Sequence, residues 1–177
     1  MTRRNILKLV AIIALVAVAA ASLVHLNDGS LDFSDREIRL IITDSMDGGP
    51  TDFRISTIEK DSLVMVRHIS QEEVPTIEIG TVMQFKQGDI LNHHRLVSID
   101  VDGGFIITKG DNLPVTETIF FEDVTGVVVG KNHPAGIVVS FVKDNLIFTI
   151  LAIIVLMTSA ALIREILAER KDREEGS

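Results

Sequence analysis

Two almost uncharged runs, Ile6 to Leu26 and Leu146 to Ile163, bracket a stretch that carries most of the acids of this 177-residue chain. Each is close to the ~20 apolar residues that cross a bilayer as a helix, the second slightly short and the first holding one charge, Lys8. Blocks of this kind argue against a purely soluble chain and against a disordered one. Between them lie about 117 residues, Asn27 to Lys143, which suits one domain with its own core and leaves no room for two. The chain has no cysteine, which removes disulfides, thiolate zinc sites, cysteine nucleophiles and thiol-attached haem. A formal charge of −8 with no basic patch argues against nucleic acid as a partner, since phosphate contacts need clustered Lys and Arg.

The N-terminus places Arg3, Arg4 and Lys8 before an apolar run that ends in Ala19, Ala20, Ala21 and Ser22, which is also how a cleavable signal peptide reads. The run from Leu9 to Val24 is only slightly longer than such a peptide's apolar region, and the second block tips the reading toward an uncleaved anchor. If both blocks span, the two ends share one side. Arg3, Arg4 and Lys8 then match Arg164, Arg170, Lys171 and Arg173 as cytoplasmic flanks. The expected layout is a cytoplasmic tip and anchor helix over 1–26, an extracytoplasmic domain over 27–143, a second membrane helix over 144–163 and a charged cytoplasmic tail over 164–177. That tail mixes both signs, as a solvated helix end does. The expected location is the cell membrane, with two spans; no eukaryotic retention signal ends the chain.

Short apolar runs of period two, bounded by turn residues, mark the middle domain as β-rich. Ile77, Ile79, Met83 and Phe85 alternate with Glu78, Gly80, Gln84 and Lys86, predicting a strand with one buried and one wet face. Ser62 to Arg67 predicts another. His94 to Val101 and Phe105 to Lys109 flank Asp102-Gly103-Gly104, a turn signal that predicts a hairpin. Val124 to Val129 predicts the last strand. Apolar segments such as Ile38 to Ile42 and Ile119 to Phe121 read as core before lipid contact. Helical periodicity is weak and no repeat is visible. The expected fold is mainly β, a small antiparallel sheet or partly closed barrel flanked by two transmembrane helices.

Three polar features stand out. Ser45 lies in Thr43-Asp44-Ser45-Met46-Asp47-Gly48-Gly49-Pro50, where a hydroxyl ordinarily bonds local backbone. His94 follows His93, and in an extended segment the two point to opposite faces, so one alone can serve a given site. Asp111 lies in Lys109-Gly110-Asp111-Asn112 after a strand, ordinarily a turn position. Singly, each is better explained as structure than as chemistry.

In order and approximate spacing, however, these residues resemble the signal peptidase I family, in its archaeal and endoplasmic-reticulum branch. Lys60-Asp61-Ser62-Leu63-Val64 is similar to that family's Gly-Asp segment leading into a strand, and Thr81 to Phe85 to its next strand. His94-Arg95-Leu96-Val97 resembles its His-Arg-Val-Ile, and Thr108-Lys109-Gly110-Asp111-Asn112 its Thr-Lys-Gly-Asp-Asn. Val124 to Gly130 corresponds to its closing Val-Val-Gly strand, and a C-terminal span also occurs in that branch. The chain departs from the family's Ser-Gly-Ser-Met-x-Pro: proline comes only at Pro50. The acids the family places beyond Gly-Asp-Asn are replaced by Leu113-Pro114-Val115-Thr116-Glu117.

The resemblance implies a serine peptidase without a cofactor. Ser45 is the expected nucleophile and His94 the general base, with Asp111 as the orienting carboxylate and Glu117 as its rival. Arg95 is adjacent to the site, and the amide of Ser45 or Met46 is the expected oxyanion donor. Lys109 is a minor alternative base, by analogy with the serine and lysine pair of bacterial relatives. The implied substrates are signal peptides of exported preproteins, bound by strand addition near the outer membrane surface, because Ser45 follows the first run by about nineteen residues. Membrane lipid is a further partner, and the need for other membrane subunits is left open. Two rival readings stand beside this one. The first is a non-enzymatic membrane-anchored β domain acting in assembly or adhesion, for which the polar motifs are turns. The second is a metal module built on His93, His94, Asp100 and Asp102, although Asp100-Val101-Asp102-Gly103 fails the calcium-loop spacing.

Overall fold

The computed structural model describes residues 30–50 and 52–175; the anchor helix expected before residue 27 lies outside them. One compact unit is described from residue 30 to 140 and a second from 141 to 175. The first is built on eight antiparallel strands: β1 (Ser30–Phe33), β2 (Arg36–Leu40), β3 (Leu63–His68), β4 (Val82–Gln87), β5 (Ile90–Asp100), β6 (Phe105–Lys109), β7 (Thr116–Phe120) and β8 (Val124–Asn132). They form one sheet in the order β1-β2-β3-β8-β4-β5-β6-β7. The sheet is not closed, since its outer strands β1 and β7 pair with nothing beyond their single neighbours among the described residues; of the two expected forms, a small antiparallel sheet or a partly closed barrel, the antiparallel sheet is the one seen. The last strand inserts between β3 and β4. It does so on a run of β-branched residues interrupted by Gly126, where a Cβ would lie 2.5 Å from Val66 Cγ1 and 2.8 Å from the Arg67 carbonyl.

Cross-strand register assigns the faces. Met83 pairs with His94 and with Val127, Leu96 with Thr108, and Thr108 with Glu117, so these residues share one face. Val82 pairs with Arg95 and Gln84 with His93 on the other. Each face carries a core. Met83, Phe85, Leu96, Ile106, Ile119 and Val127 pack with Val74 on the first. Val64, Val66, Val82 and Val128 pack under Ile41, Met46 and Ile58 on the second.

Burial of both faces corrects the expected strand from Ile77 to Phe85. The strand starts at Val82, and its residues Val82, Met83, Gln84 and Phe85 are all buried, because loops cover both sides of the sheet there. Ile77 and Ile79 precede it, beyond a 3-10 turn over Gln71–Thr76 in which the Glu73 carboxylate accepts the Ser70 N–H at 3.2 Å. Gly80 then turns the chain at φ 91° with the Phe53 ring packed where a side chain would begin. The hairpin of β5 and β6 forms as expected around Asp102-Gly103-Gly104, with the Gly103 N–H donating to Asp100 Oδ1 at 2.7 Å.

A helix, α1 (His133–Asp144), closes what reads from sequence as a β-rich domain. Its start is chemically marked: the Asn132 side chain accepts the Ala135 N–H at 2.9 Å, and Pro134 stands in the first turn, where its missing N–H costs nothing. A second helix, α2, runs over Leu146–Glu175. The stretch Leu146–Arg164 is long and apolar enough to cross a membrane, and the helix continues through the charged tail.

Candidate active site

Strand β5 carries consecutive residues into two different environments. His94 points to the face of Met83 and Phe85, and its ring meets the Phe85 ring edge-on at 5.6 Å and 62°. Its Nδ1–H donates to Glu117 Oε2 at 2.9 Å. Glu117 lies two strands away on β7 and is brought to the histidine's face by the β6 residue between them, since Thr108 pairs with both Leu96 and Glu117. The histidine side chain is 6% exposed and the glutamate 27%, so the carboxylate reaches the pair from the solvent side. Nε2 of His94 is left without a partner among the described residues. The hydroxyl of Thr108, on the same face, is buried and has no hydrogen-bond partner among the described residues.

Arg95 points the other way and gathers loops. Its Nε donates to Asp111 Oδ1 at 2.8 Å and its Nη2 to Oδ2 at 2.5 Å, a bidentate pair with side chains 6% and 4% exposed. The remaining donors reach the carbonyls of Gly80 at 2.8 Å, Ile55 at 2.9 Å and Ser56 at 3.1 Å. The guanidinium also lies 4.8 Å from the centre of the Phe53 ring, a cation–π geometry.

Asp111 is therefore committed to Arg95, on the opposite face from His94. The carboxylate bonded to the histidine is Glu117, the rival of the pair named from sequence. Asp111 is more than the turn residue its Gly-Asp-Asn context suggests, because it is the buried counter-ion of Arg95. Lys109 pairs with Arg95 in register and so projects from the face opposite His94.

The serine turn is stitched to the loop that holds Asp111. The Asn112 N–H donates to the Ser45 carbonyl at 2.9 Å and the Asn112 side chain to the Asp44 carbonyl at 3.3 Å. Two glycines permit this approach. A Cβ on Gly49 would stand 2.0 Å from Asp111 Oδ2, and one on Gly110 would stand 2.9 Å from the Ser45 carbonyl. Met46 anchors the turn from below: its side chain is 1% exposed in the second core, and its carbonyl accepts the Ile58 N–H at 2.9 Å and the Thr57 hydroxyl at 3.2 Å. The N–H groups of Ser45 and Met46 have no acceptor among the described residues. The Ser45 hydroxyl lies 3.4 Å from Thr43 Oγ1 and makes no hydrogen bond to His94. Sequence reading assigns roles to the four polar residues and Met46 but none to Thr43, Gly49 or Gly110, which stand in the motifs only as small flanking residues.

His93 and His94 diverge as the extended backbone requires, which separates the donors of the proposed metal module. His93 Nε2 lies 3.3 Å from Gln84 Nε2, Gln84 also donates to Glu37, and the Thr125 hydroxyl donates to Gln84 Oε1 at 2.7 Å. Burial, and then the nearby Arg39 charge, drive the His93 pKa down to about 4. Burial raises the pKa of Glu37, but hydrogen bonds from Arg39 and Gln84 outweigh it and hold the carboxyl below its usual range. Asp32, Glu37 and His68 bring ligand atoms within 4.8 Å of one another, but Glu37 there already takes two bonds from Arg39.

No protein-family model matches the chain, and no curated protein matches it either.

Proposed function

We propose that this chain is a membrane-bound serine endopeptidase that removes signal peptides from exported preproteins at the outer membrane surface. Ser45 is the nucleophile, His94 the general base and then general acid, and Glu117 the carboxylate that orients it. The observation that carries the reading is the 2.9 Å bond from His94 Nδ1–H to Glu117. A proton held on Nδ1 leaves Nε2 as a lone-pair acceptor, the tautomer a serine peptidase needs, and the carboxylate stabilises the imidazolium that forms.

In the proposed reaction the serine turn, which packs through Met46 on the second core and bonds to the loop of Asp111 and Asn112, shifts so that the Ser45 hydroxyl leaves Thr43 and reaches His94, which faces the first core. Nε2 takes its proton as Oγ attacks the scissile carbonyl, the oxyanion gathers at the free amides of Ser45 and Met46, and the imidazolium protonates the departing amine. Water then attacks the acyl-serine, His94 removes its proton, and the same nitrogen returns a proton to Ser45. Arg95 and Asp111 play no part in proton transfer in this scheme; they hold together the loops that frame the serine turn. Leu146–Arg164, as a membrane helix, keeps the enzyme where signal peptides emerge, with the β domain outside and both ends of the chain in the cytoplasm.

The test is cleavage of a preprotein by full-length protein in lipid, comparing wild type with Ser45→Ala, His94→Ala and Glu117→Gln. Loss of turnover in all three is expected, with thermal unfolding unchanged for Ser45→Ala and Glu117→Gln and lowered for His94→Ala, which truncates a buried ring packed on Phe85. Equal cleavage by wild type and Ser45→Ala refutes the mechanism. A folded wild type that cleaves no preprotein favours the non-enzymatic alternative.

A further inference from the structure

Helix α1 is amphipathic in the reverse sense. A helix on a water-soluble domain buries its apolar stripe and shows its polar one. Here the contacts that dock the helix on the β domain are small and polar, although Val142 near its end is buried too. Gly136 is packed so closely that a Cβ would stand 2.0 Å from the Asp61 carbonyl and 2.5 Å from the Leu63 nitrogen. One turn on, the Ser140 hydroxyl donates to Asp61 Oδ1 at 2.7 Å, and one turn back, His133 Nδ1 lies 3.1 Å from the Ser62 hydroxyl. The outward stripe is apolar: Ile137 is 49% exposed and Val138 53%, with Phe141 one turn further along at 63%. In water this arrangement leaves three large apolar side chains about half exposed or more, an unfavourable placement that a low-polarity medium relieves.

We infer that α1 lies along the bilayer surface, with Ile137, Val138 and Phe141 embedded at the boundary between headgroups and acyl chains. The helix that comes next in the chain identifies the occupant of the apolar stripe as lipid. Only Asn145 separates α1 from α2, whose first nineteen residues, Leu146–Arg164, have the length and hydropathy of a span. A helix joined to a span by one residue starts within reach of the interface, and an apolar stripe on such a helix has acyl chains as its nearest low-polarity medium. The consequence reaches the serine. Residues 61 and 62, which α1 grips, exchange backbone hydrogen bonds with Ile41; Ile42, next in the chain, is 62% exposed, and Ser45 lies three residues later. An interfacial α1 therefore gives the segment leading to the serine turn an attachment to the membrane surface besides the Leu146–Arg164 helix. The inference rests on α2 lying in a bilayer and not on the peptidase chemistry.

The chain contains no tryptophan, so single introduced tryptophans report their own surroundings. Full-length Ile137→Trp, Leu151→Trp in the span and Ile90→Trp at a β-hairpin tip are reconstituted in phosphatidylcholine and phosphatidylglycerol vesicles with and without brominated acyl chains. Tryptophan at 137 is expected to be blue-shifted and to lose at least half as much fluorescence to brominated lipid as tryptophan at 151. At 90 it is quenched by aqueous iodide instead. Val138→Trp repeats the measurement should the larger ring at 137 disturb folding. Iodide quenching at both 137 and 138 overturns the inference, as does shielding from both quenchers, which identifies a protein surface as the occupant. Absence of lipid quenching at 151 removes its premise and overturns it too. Preprotein cleavage by the same variants, expected unchanged, reads the peptidase proposal separately.

Discussion

Replacing Glu117 with Gln keeps the side chain's size and removes its charge, which separates orientation of the histidine from packing around it. The bond it alters joins a 6%-exposed imidazole to a 27%-exposed carboxylate at 2.9 Å. A hydrogen bond to a charged group contributes about 1.5–3 kcal/mol, so losing the charge slows the proton-transfer step by about 10- to 150-fold. If the Gln amide turns its NH2 toward Nδ1, the ring must carry its proton on Nε2 and no longer serves as base, a loss of about 10⁴-fold in the best-studied serine triad. A fall in kcat between these limits is expected. The folded state hardly notices, because the amide has the carboxylate's size and its oxygen can still accept the Nδ1–H bond.

Asp111→Asn is the counterpart. Both members of its pair with Arg95 are nearly excluded from water, and removing one partner from a buried pair costs about 3–5 kcal/mol. The three carbonyls that stay on the guanidinium favour the low end. A loss of ~3 kcal/mol lowers the Tm of a domain this size by about 10–15 °C. Single-turnover cleavage and thermal unfolding, measured on both variants, decide the matter. The reasoning is refuted if Glu117→Gln cleaves at the wild-type rate, or if Asp111→Asn keeps its Tm and loses the chemistry.

Gly49→Ala forces a methyl to within 2.0 Å of Asp111 Oδ2; overpacking of this kind costs about 1–3 kcal/mol, and both Tm and cleavage should fall. Stability should depend on His93 in mildly acidic solution. Its folded pKa of about 4 lies below the ~6.5 of the unfolded chain, so the unfolded state binds the extra proton. The contribution of the neutral ring is complete above pH ~6.5 and is lost on acidification to about 4, by roughly 3 kcal/mol in all. His93→Gln should flatten denaturant midpoints across that window. Glu37, whose folded pKa is lowered, adds a loss of the same sign at still lower pH. Asn132→Ala removes the acceptor for the Ala135 N–H and should destabilise by about 1 kcal/mol in chemical denaturation.

Much of the candidate site is legible residue by residue. Ser45, His94, Asp111 and Glu117 are all recognisable from motif order, and the divergence of His93 from His94 follows from strand geometry alone. The assignment of partners is not legible. Asp111 and Glu117 are six positions apart, and which of them meets His94 depends on the sheet order, on the bulge between Leu96 and Ser98, and on the face from which each carboxylate projects. The strand misread over Ile77 to Phe85 has a similar cause. Alternation shows that one side of a segment is apolar, but β4 is covered by loops on both sides, and the turn at Gly80 breaks the pattern where a close-packed ring needs the space.

The sequence by itself determined the β character of the middle domain, the span-length apolar run after it and the polar residues worth watching, because hydropathy, period and turn chemistry act over a few neighbours along the chain. Tertiary structure alone decided that β8 lies between β3 and β4, that Arg95 takes Asp111 and leaves His94 to Glu117, and that α1 shows its apolar stripe outward. Each of these is set by contacts between residues far apart in sequence. Such contacts are chosen by competition for burial and for hydrogen-bond partners across the whole domain, and no short window of sequence contains both sides of that competition.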